Sequence, residues 1–204
     1  MKLYLATGNA HKVKELQEII AAAKLPIEVF SAKEVGGMPE VVEDQETFTG
    51  NALKKGLALA QQLPEGTWAL ADDSGLCVDC LDGAPGVYSA RYAGEKATDT
   101  ENLNKLLHEM EGLPLEQRSA SFQCHLAMVS SSGDEQIFIG QCEGHIIEEA
   151  CGEGGFGYDP VFVPQGKEKT FAEISSEEKA GLSHRGNALK EMIEFLRNAL
   201  SAKK

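Results

Sequence analysis

The most constraining feature of this sequence is an alternating run that reaches a turn and is followed by a second strand-forming run. Apolar or thiol side chains occupy every second position from Phe122 to Met128, which is the period of a β-strand. Residues 131–134 read Ser-Ser-Gly-Asp and lead into 136–141, so this segment predicts a β-hairpin. Because hairpin strands are antiparallel, the sheet cannot be purely parallel.

Helical patterns precede this hairpin. A strand at 2–6 is followed by a Gly-containing loop and a helix with apolar residues at Val13, Leu16, Ile20 and Ala23. A second helix is expected from near Phe48 to Pro64, and a short buried strand at 67–71 follows it. The spacing assigns four apolar residues to the buried face of the second helix: Leu53, Leu57, Ala60 and Leu63.

Two more helices complete the pattern. Residues 98–101 have the Ser/Thr-x-x-Glu spacing of a capping box and precede an amphipathic run. A last helix from about Ser183 carries one apolar face, formed by Leu189, Met192, Ile193, Leu196 and Leu200. Strands interleaved with helices predict an α/β fold in which helices cover a mixed sheet.

Composition limits the functional classes. The chain has 204 residues with a net charge of -13, so its surface as a whole repels a nucleic-acid backbone. It has no run approaching the ~20 apolar residues of a membrane helix. Five cysteines without an export signal favour reduced thiols and a cytoplasmic protein. Cys77 and Cys80 form a CxxC, which we interpret as packing in a buried strand or strand end; redox or zinc chemistry is the alternative.

Polar and glycine-rich clusters lie at the ends of the predicted elements. Residues 7–12, Thr-Gly-Asn-Ala-His-Lys, join the first strand to the first helix, where backbone N–H groups and Lys12 suit an anion. An ordinary helix cap with a solvated lysine explains the same residues. The acidic run 43–46 precedes the second helix, and either favours the helix dipole or supplies a magnesium ligand.

Asp72 and Asp73 follow the apolar residues of the strand predicted at 67–71. Either could share a magnesium ion with Glu43, since this ion commonly takes one or two protein carboxylates and completes its shell with water and phosphate. A turn formed by Asp-Ser-Gly is the structural alternative. Farther along, the glycines of 152–157 surround Phe156, which offers a flat face to a base. Arg185 at the start of the last helix opposes the helix dipole and so favours an outside anion or acceptor.

Read together, these segments resemble the inosine triphosphate pyrophosphatase family of non-canonical purine nucleoside triphosphatases. The resemblance rests on LATGNAHKVKEL, TFTGNALKKGLALA, ADDSGLCVDCLDGAPGVYSARYAG, GGFGYDPVFVP and SHRGNALK, in that order. It covers nearly the whole chain and is nearest to the bacterial branch that hydrolyses dITP, ITP and XTP. It implies one domain over 1–204, with a strongly twisted mixed sheet, flanking helices and two lobes around an active-site cleft.

The resemblance also implies roles for individual residues. Asp73 is the catalytic aspartate, and Glu43 and Asp73 hold Mg²⁺. The substrate-binding residues that it implies are Thr7, Gly8, Asn9, Ala10, His11, Lys12, Ser74, Phe156, Gly157, Tyr158, Asp159, Lys179, His184 and Arg185. The family commonly forms homodimers, so we expect a homodimer that acts on a purine nucleoside triphosphate, without nucleic-acid or membrane partners.

Two positions depart from the family pattern. Gly50 stands where the family commonly has Glu, and residues 42–45 read Val-Glu-Asp-Gln in place of a Glu-Glu pair followed by Gly. If that glutamate helps to hold metal or water, Gly50 favours a second interpretation. The protein would then be a nucleotide-binding regulator without turnover.

Overall fold

The computed structural model describes residues 1–7 and 9–201; of Ala10 and His11 it describes the backbone only. Within these residues, six strands form one sheet in the order β2-β1-β3-β4-β5-β6. Their bounds are Lys2–Leu5 (β1), Glu28–Ser31 (β2), Trp68–Val78 (β3), Ser119–Ser130 (β4), Glu135–Ile146 (β5) and Phe162–Pro164 (β6). The α-helices are Ala10–Ala22 (α1), Phe48–Ala60 (α2), Asp99–Glu109 (α3), Ser176–Leu182 (α4) and His184–Ser201 (α5).

The chain divides into two compact units, and β3, β4 and β5 each contribute residues to both. Unit 1 comprises Met1–Asp73, His125–Ile139 and Ala188–Lys204. In it β1 pairs in parallel with β2 and with β3. Its core includes Tyr4, Ala32, Leu59, Ala60, Ala69 and Val129.

Unit 2 comprises Ser74–Cys124 and Gly140–Asn187. Here β6 pairs antiparallel with β5. Its core is rich in aromatic residues, among them Phe122, Tyr158, Phe162 and Phe171, and the rings of Phe122 and Phe162 meet edge to face with centroids 4.8 Å apart. The mixed sheet with flanking helices is therefore confirmed, whereas the single domain and the cleft between two lobes stay predictions.

Several local predictions are confirmed. The hairpin is formed by β4 and β5, and the amide of Ser130 donates to Asp134 O at its turn. Thr98 caps α3 in a capping box with Glu101. The last helix begins at His184 and buries Leu189, Met192, Ile193 and Leu196. In the described part of the chain, no helix has the length and apolar character needed to cross a membrane.

The buried face predicted for α2 is partly wrong. Leu57 is 37% exposed, while Asn51, Ala52, Gly56, Leu59 and Ala60 are buried. A Cβ atom at Gly56 would lie 2.9 Å from Val129 Cγ2, so the helix backbone approaches β4 closely. The small residues Ala52, Gly56 and Ala60, spaced four apart, allow this approach and turn Leu57 outward.

The strand predicted at 67–71 is longer than expected. It continues through Asp72, Asp73 and Ser74 to Val78, so these residues lie within β3 and not at its end. The packing interpretation of the CxxC is also wrong for its second thiol: Cys77 is half-buried, but Cys80 is exposed. The reason is that the chain leaves the sheet after Val78 in the 3₁₀ turn Asp79–Leu81.

Candidate active site

Asp72 and Asp73 are neighbours in β3, and successive side chains in a strand point to opposite faces. Lys12 Nζ lies 3.2 Å from Asp72 Oδ2, in an ion pair whose side chains are 33% and 14% exposed. Asp73 has different partners: Asn51 Nδ2 donates to its Oδ2 at 3.1 Å, and Lys55 Nζ lies 3.5 Å from its Oδ1. The two aspartates are therefore held separately.

Lys55 connects Asp73 to the acidic run before α2. Its Nζ lies 3.2 Å from Glu43 Oε1 as well as 3.5 Å from Asp73 Oδ1, so two carboxylates share one ammonium group. The side chains of Lys55 and Asp73 are only 15% and 12% exposed. Glu43 and Asp73, the predicted metal ligands, thus approach the same cation.

This arrangement fits a magnesium ion better than a structural zinc ion. Among the residues that the structure describes, no three His, Cys, Asp or Glu side chains are grouped as metal ligands. Structural zinc sites use four such ligands, whereas magnesium commonly takes one or two carboxylates and fills its shell with water and phosphate. Glu43 and Asp73 supply two carboxylates, the number that magnesium commonly takes from a protein. Their hard oxygen donors already face one positive charge, the Lys55 ammonium.

The acidic run is fastened to α2 at two further points. Lys54 Nζ donates to Asp44 Oδ1 at 2.6 Å, and the amide of Gln45 donates to Asn51 Oδ1 at 3.0 Å. The hydrogen bond from Lys54 lowers the pKa of Asp44. Asn51 is fully buried and joins the backbone of the acidic run to the carboxylate of Asp73.

Gly50 is explained by this same packing. A Cβ atom at this position would lie 2.8 Å from Gln45 Cβ and 3.1 Å from Thr47 Oγ1. The Gly50 amide donates to Thr47 Oγ1, which caps α2. The side chain of Gln45 thus occupies the space that a residue larger than glycine would need.

The predicted phosphate loop precedes α1. Thr7 Oγ1 accepts a hydrogen bond from the Asn9 amide at 3.1 Å, and α1 begins at the next residue. Lys12 lies in the first turn of α1. Gly8 and the side chains of Ala10 and His11 lie outside the described residues, so their predicted contacts stay predictions.

A second polar cluster lies in unit 2 around Asp159, which is 2% exposed. Lys179 Nζ and the Phe156 amide both donate to Asp159 Oδ2, the latter at 2.8 Å. The Lys179 ammonium also lies 4.6 Å from the centroid of the Phe156 ring, which is 71% exposed. A Cβ atom on Gly155 would collide with the Asp159 carboxylate, which explains the glycine there.

Gly157 and Tyr158 hold the same segment in place. The Gly157 amide donates to Asp99 Oδ2 at 2.8 Å, and Tyr158 Oη donates to the Ser89 carbonyl at 2.9 Å. Burial raises the pKa of the Tyr158 phenol, whose side chain belongs to the core of unit 2. Among the predicted base-binding residues, Phe156 is thus the one with an exposed ring.

His184 and Arg185 open α5, as predicted. The His184 ring stacks on Phe122, with centroids 5.0 Å apart and planes 12° from parallel. The Gly186 amide donates to Ser183 Oγ at 3.1 Å. Ser74, His184 and Arg185 are half-buried, and their predicted contacts with a substrate stay predictions.

Comparison with known proteins identifies the family of this chain. The model of the Ham1 family matches residues 3–195. The chain belongs to the Ham1 family. This confirms the resemblance inferred from the ordered motifs, and the match spans most of both units.

Individual members of the Ham1 family match over nearly their full length. A dITP/XTP pyrophosphatase of Opitutus terrae is 47% identical over 203 residues, which are 98% of this chain and 100% of the relative. A dITP/XTP pyrophosphatase of Desulforamulus reducens is 51% identical over 196 residues, 96% of each chain. The solved structure of a HAM1 protein from Coxiella burnetii superimposes with a TM-score of 0.89 at 39% identity, covering 97% of this chain and 99% of that one.

Sequence reasoning missed Asn51 and Lys55, which both contact the Asp73 carboxylate. They are four apart in α2 and therefore lie on the same side of that helix. The signal was available in part, because Asn51 interrupts an otherwise apolar and small helix face. The pattern could not identify their partner, since 17 residues separate Lys55 from Asp73, which lies in a different element, β3.

Proposed function

We propose that this Ham1-family protein is a nucleoside triphosphate pyrophosphatase. Its reaction would hydrolyse the bond between the α and β phosphates of ITP, dITP or XTP, releasing the monophosphate and pyrophosphate. This removes non-canonical purine nucleotides from the nucleotide pool. The names of the relatives from Opitutus terrae and Desulforamulus reducens support this activity.

The observation that carries the proposal is the convergence of Glu43 and Asp73 on the Lys55 ammonium. Two carboxylates in one place are costly unless a cation compensates their repulsion. They give the site both a proton acceptor and ligands for a divalent cation, which phosphoanhydride hydrolysis requires.

We assign Mg²⁺ as the cofactor, held by Glu43 and Asp73. When bound, it would neutralise phosphate charge and make a neighbouring water more acidic. Asp73 accepts the proton of the attacking water. Asn51 and Lys55 fix the direction of the Asp73 carboxylate, because Asn51 Nδ2 donates to its Oδ2 and Lys55 Nζ lies 3.5 Å from its Oδ1.

Charge on the triphosphate is met by residues at the start of α1. Lys12 pairs with Asp72 and has a side chain that is 33% exposed, so the ammonium can turn toward an incoming phosphate. The amides at the start of α1 point out of the helix and favour an anion. Together these donors stabilise the negative charge that develops on the leaving pyrophosphate.

Base selection is assigned to unit 2. The exposed Phe156 ring stacks on the purine, and His184 or Arg185 donates to its 6-oxo group. Adenine has a 6-amino group at that position, which would place donor against donor. Leaving such a group unpaired can cost a factor of ~10⁴ in selectivity.

A substrate panel with product identification tests the function. ITP, dITP, XTP, ATP and GTP would be supplied in turn with Mg²⁺, and pyrophosphate and orthophosphate measured separately. We expect pyrophosphate from ITP, dITP and XTP at rates far above that for ATP, and Asp73→Asn should abolish it. A low rate for GTP is expected from the family resemblance alone, since guanine also has a 6-oxo group. Orthophosphate as the first product would refute cleavage between the α and β phosphates. The absence of turnover in the parent protein would favour a regulator without turnover.

We propose further that the enzyme is a cytoplasmic homodimer, as the family resemblance implies. Light scattering coupled to size-exclusion chromatography tests the assembly. A mass near twice 21.9 kDa is expected.

A further inference from the structure

Helix α2 carries Asn51 and Lys55, which contact the Asp73 carboxylate. Asn51 and Lys55 lie one turn apart on it and contact different oxygens of that carboxylate. Their positions therefore depend on how α2 lies on the sheet of unit 1. At its middle the helix is fixed by Gly56, whose backbone approaches Val129 of β4.

The first turn of α2 has an anchor of its own. Thr49 Oγ1 lies 2.7 Å from His125 Nδ1, and the tautomer of the imidazole decides which atom donates. The ring of Phe48, next to Thr49, contacts the His125 ring with centroids 5.5 Å apart. His125 belongs to β4 and lies 76 positions after Thr49 in the sequence. Two adjacent residues of α2, Phe48 and Thr49, therefore contact the same residue of that strand.

The side chains of Thr49 and Asn51 leave the helix in different directions, because two residues of an α-helix that are two positions apart point about 200° apart around the axis. Thr49 contacts His125 of β4 and Asn51 contacts Asp73 of β3. Contacts in two directions around the axis resist rotation of the helix better than contacts in one direction. Because side-chain ends lie ~5 Å from the axis, a roll of about 10° moves the Asn51 amide by about 1 Å. A displacement of that size can cost ~100-fold in rate.

We propose that Thr49 and His125 form a positioning pair for catalysis, which fixes the rotation of α2 and so aims Asn51 at Asp73. Thr49 contacts His125 and Asn51 contacts Asp73, so the effect of the pair passes through the helix that carries Thr49 and Asn51. The inference rests on the proposed function, since it assigns the pair a role in that reaction.

Thr49→Val tests the pair, because valine keeps the shape of threonine and removes the hydroxyl group. We expect kcat for pyrophosphate release from ITP to fall about tenfold with KM within twofold of the parent value. Thr49→Ser, which restores the hydroxyl, should recover most of the rate. Thr100→Val is the matched control, because Thr100 is exposed and is likewise the second residue of a helix, α3.

A double-mutant cycle separates positioning from a general structural role. If the pair acts through Asn51, Thr49→Val should lower kcat by less than twofold in an Asn51→Ala background. A full tenfold loss in both backgrounds would overturn the proposal. So would a parental kcat in Thr49→Val alone.

Hydrogen exchange provides a readout that does not depend on turnover. Thr49→Val should accelerate exchange of the amides in residues 47–56 and leave those of α3 unchanged. Unchanged exchange in 47–56 would refute the anchor even if the parent releases pyrophosphate. Faster exchange in Thr49→Val, together with no pyrophosphate release by the parent, would instead refute the proposed function and leave the contact between Thr49 and His125 supported.

Discussion

Asn51→Asp replaces the amide that faces Asp73 by a second carboxylate of almost the same shape. The Oδ1 atom that accepts from the Gln45 amide is retained. The Nδ2 atom, which donates to Asp73 Oδ2 across 3.1 Å, becomes an oxygen. The substitution therefore changes one contact, from a charge-assisted hydrogen bond to a repulsion.

The size of the effect follows from that distance. Two unit charges 3.1 Å apart repel by about 5 kcal/mol at an effective dielectric constant of about 20. The variant can avoid part of this by taking up one proton between the two carboxyl groups. Holding a proton at pH 7 against an ordinary carboxyl pKa of ~3.9 costs about 4 kcal/mol, and at pH 5 about 1.5 kcal/mol. Proton uptake is the cheaper response, so it sets the loss of stability.

The sign of the pH dependence follows from proton counting. Between pH 5 and pH 7 the folded variant binds about one proton more than its unfolded chain, so its stability falls as pH rises. Urea unfolding at both pH values measures this. We expect the free energy of unfolding to be about 4 kcal/mol below that of the parent at pH 7 and about 1.5 kcal/mol below it at pH 5. A variant that is folded at pH 5 and unfolded at pH 7 would agree with the same reasoning.

Asn104→Asp is the matched control, because Asn104 is exposed in α3 and gains the same charge. It should stay within about 0.5 kcal/mol of the parent at both pH values. The reasoning would be refuted by an Asn51→Asp variant whose deficit is the same at pH 5 and pH 7. It would also be refuted by a deficit below about 1 kcal/mol at pH 7.

Three other predictions concern buried polar groups. Lys179→Met should lower the free energy of unfolding by about 3 kcal/mol in urea titrations, because it leaves Asp159 charged and buried without its ammonium partner; a loss no larger than that of the exposed Lys96→Met would contradict it. Arg118→Leu should also cost about 3 kcal/mol, because the buried guanidinium donates to three backbone carbonyls at 2.7, 2.8 and 3.0 Å; a melting temperature equal to that of the parent would exclude this. Burial lowers the pKa of His125, so the unfolded chain binds more protons and stability should fall as pH drops below ~6.5. His125→Asn should reduce this acid loss in unfolding titrations between pH 7 and pH 5, and an unchanged slope would show that other groups cause it.

Features encoded over a few neighbouring residues were predictable. The alternation before a Ser-Ser-Gly-Asp turn predicted the β4–β5 hairpin, because strand period and turn chemistry are local. The capping box at Thr98 and Glu101 fixed the start of α3 for the same reason. The ordered motifs identified the family, which the match over residues 3–195 confirms.

Predictions failed where packing against another element decided which face of a helix is buried or how far a strand extends. The apolar period of α2 fitted Leu57 on the buried side, but close approach to β4 selected the face with Gly56. The strand leading to Asp72 and Asp73 was expected to end there, although pairing within the sheet carries it to Val78. Hydrophobic period indicates that a face is buried, but packing decides which face and how far.

The sequence by itself determined which chemical groups this protein can bring to a site: the carboxylates of Glu43, Asp72 and Asp73 and the ammonium group of Lys12. Tertiary structure alone decided that Lys55 is shared by Glu43 and Asp73, that Asn51 aims the Asp73 carboxylate, and that His125 holds the first turn of α2. These contacts join residues from 12 to 76 positions apart. A local pattern specifies which residues share a side of one element, whereas the partner on another element is set by how the elements pack.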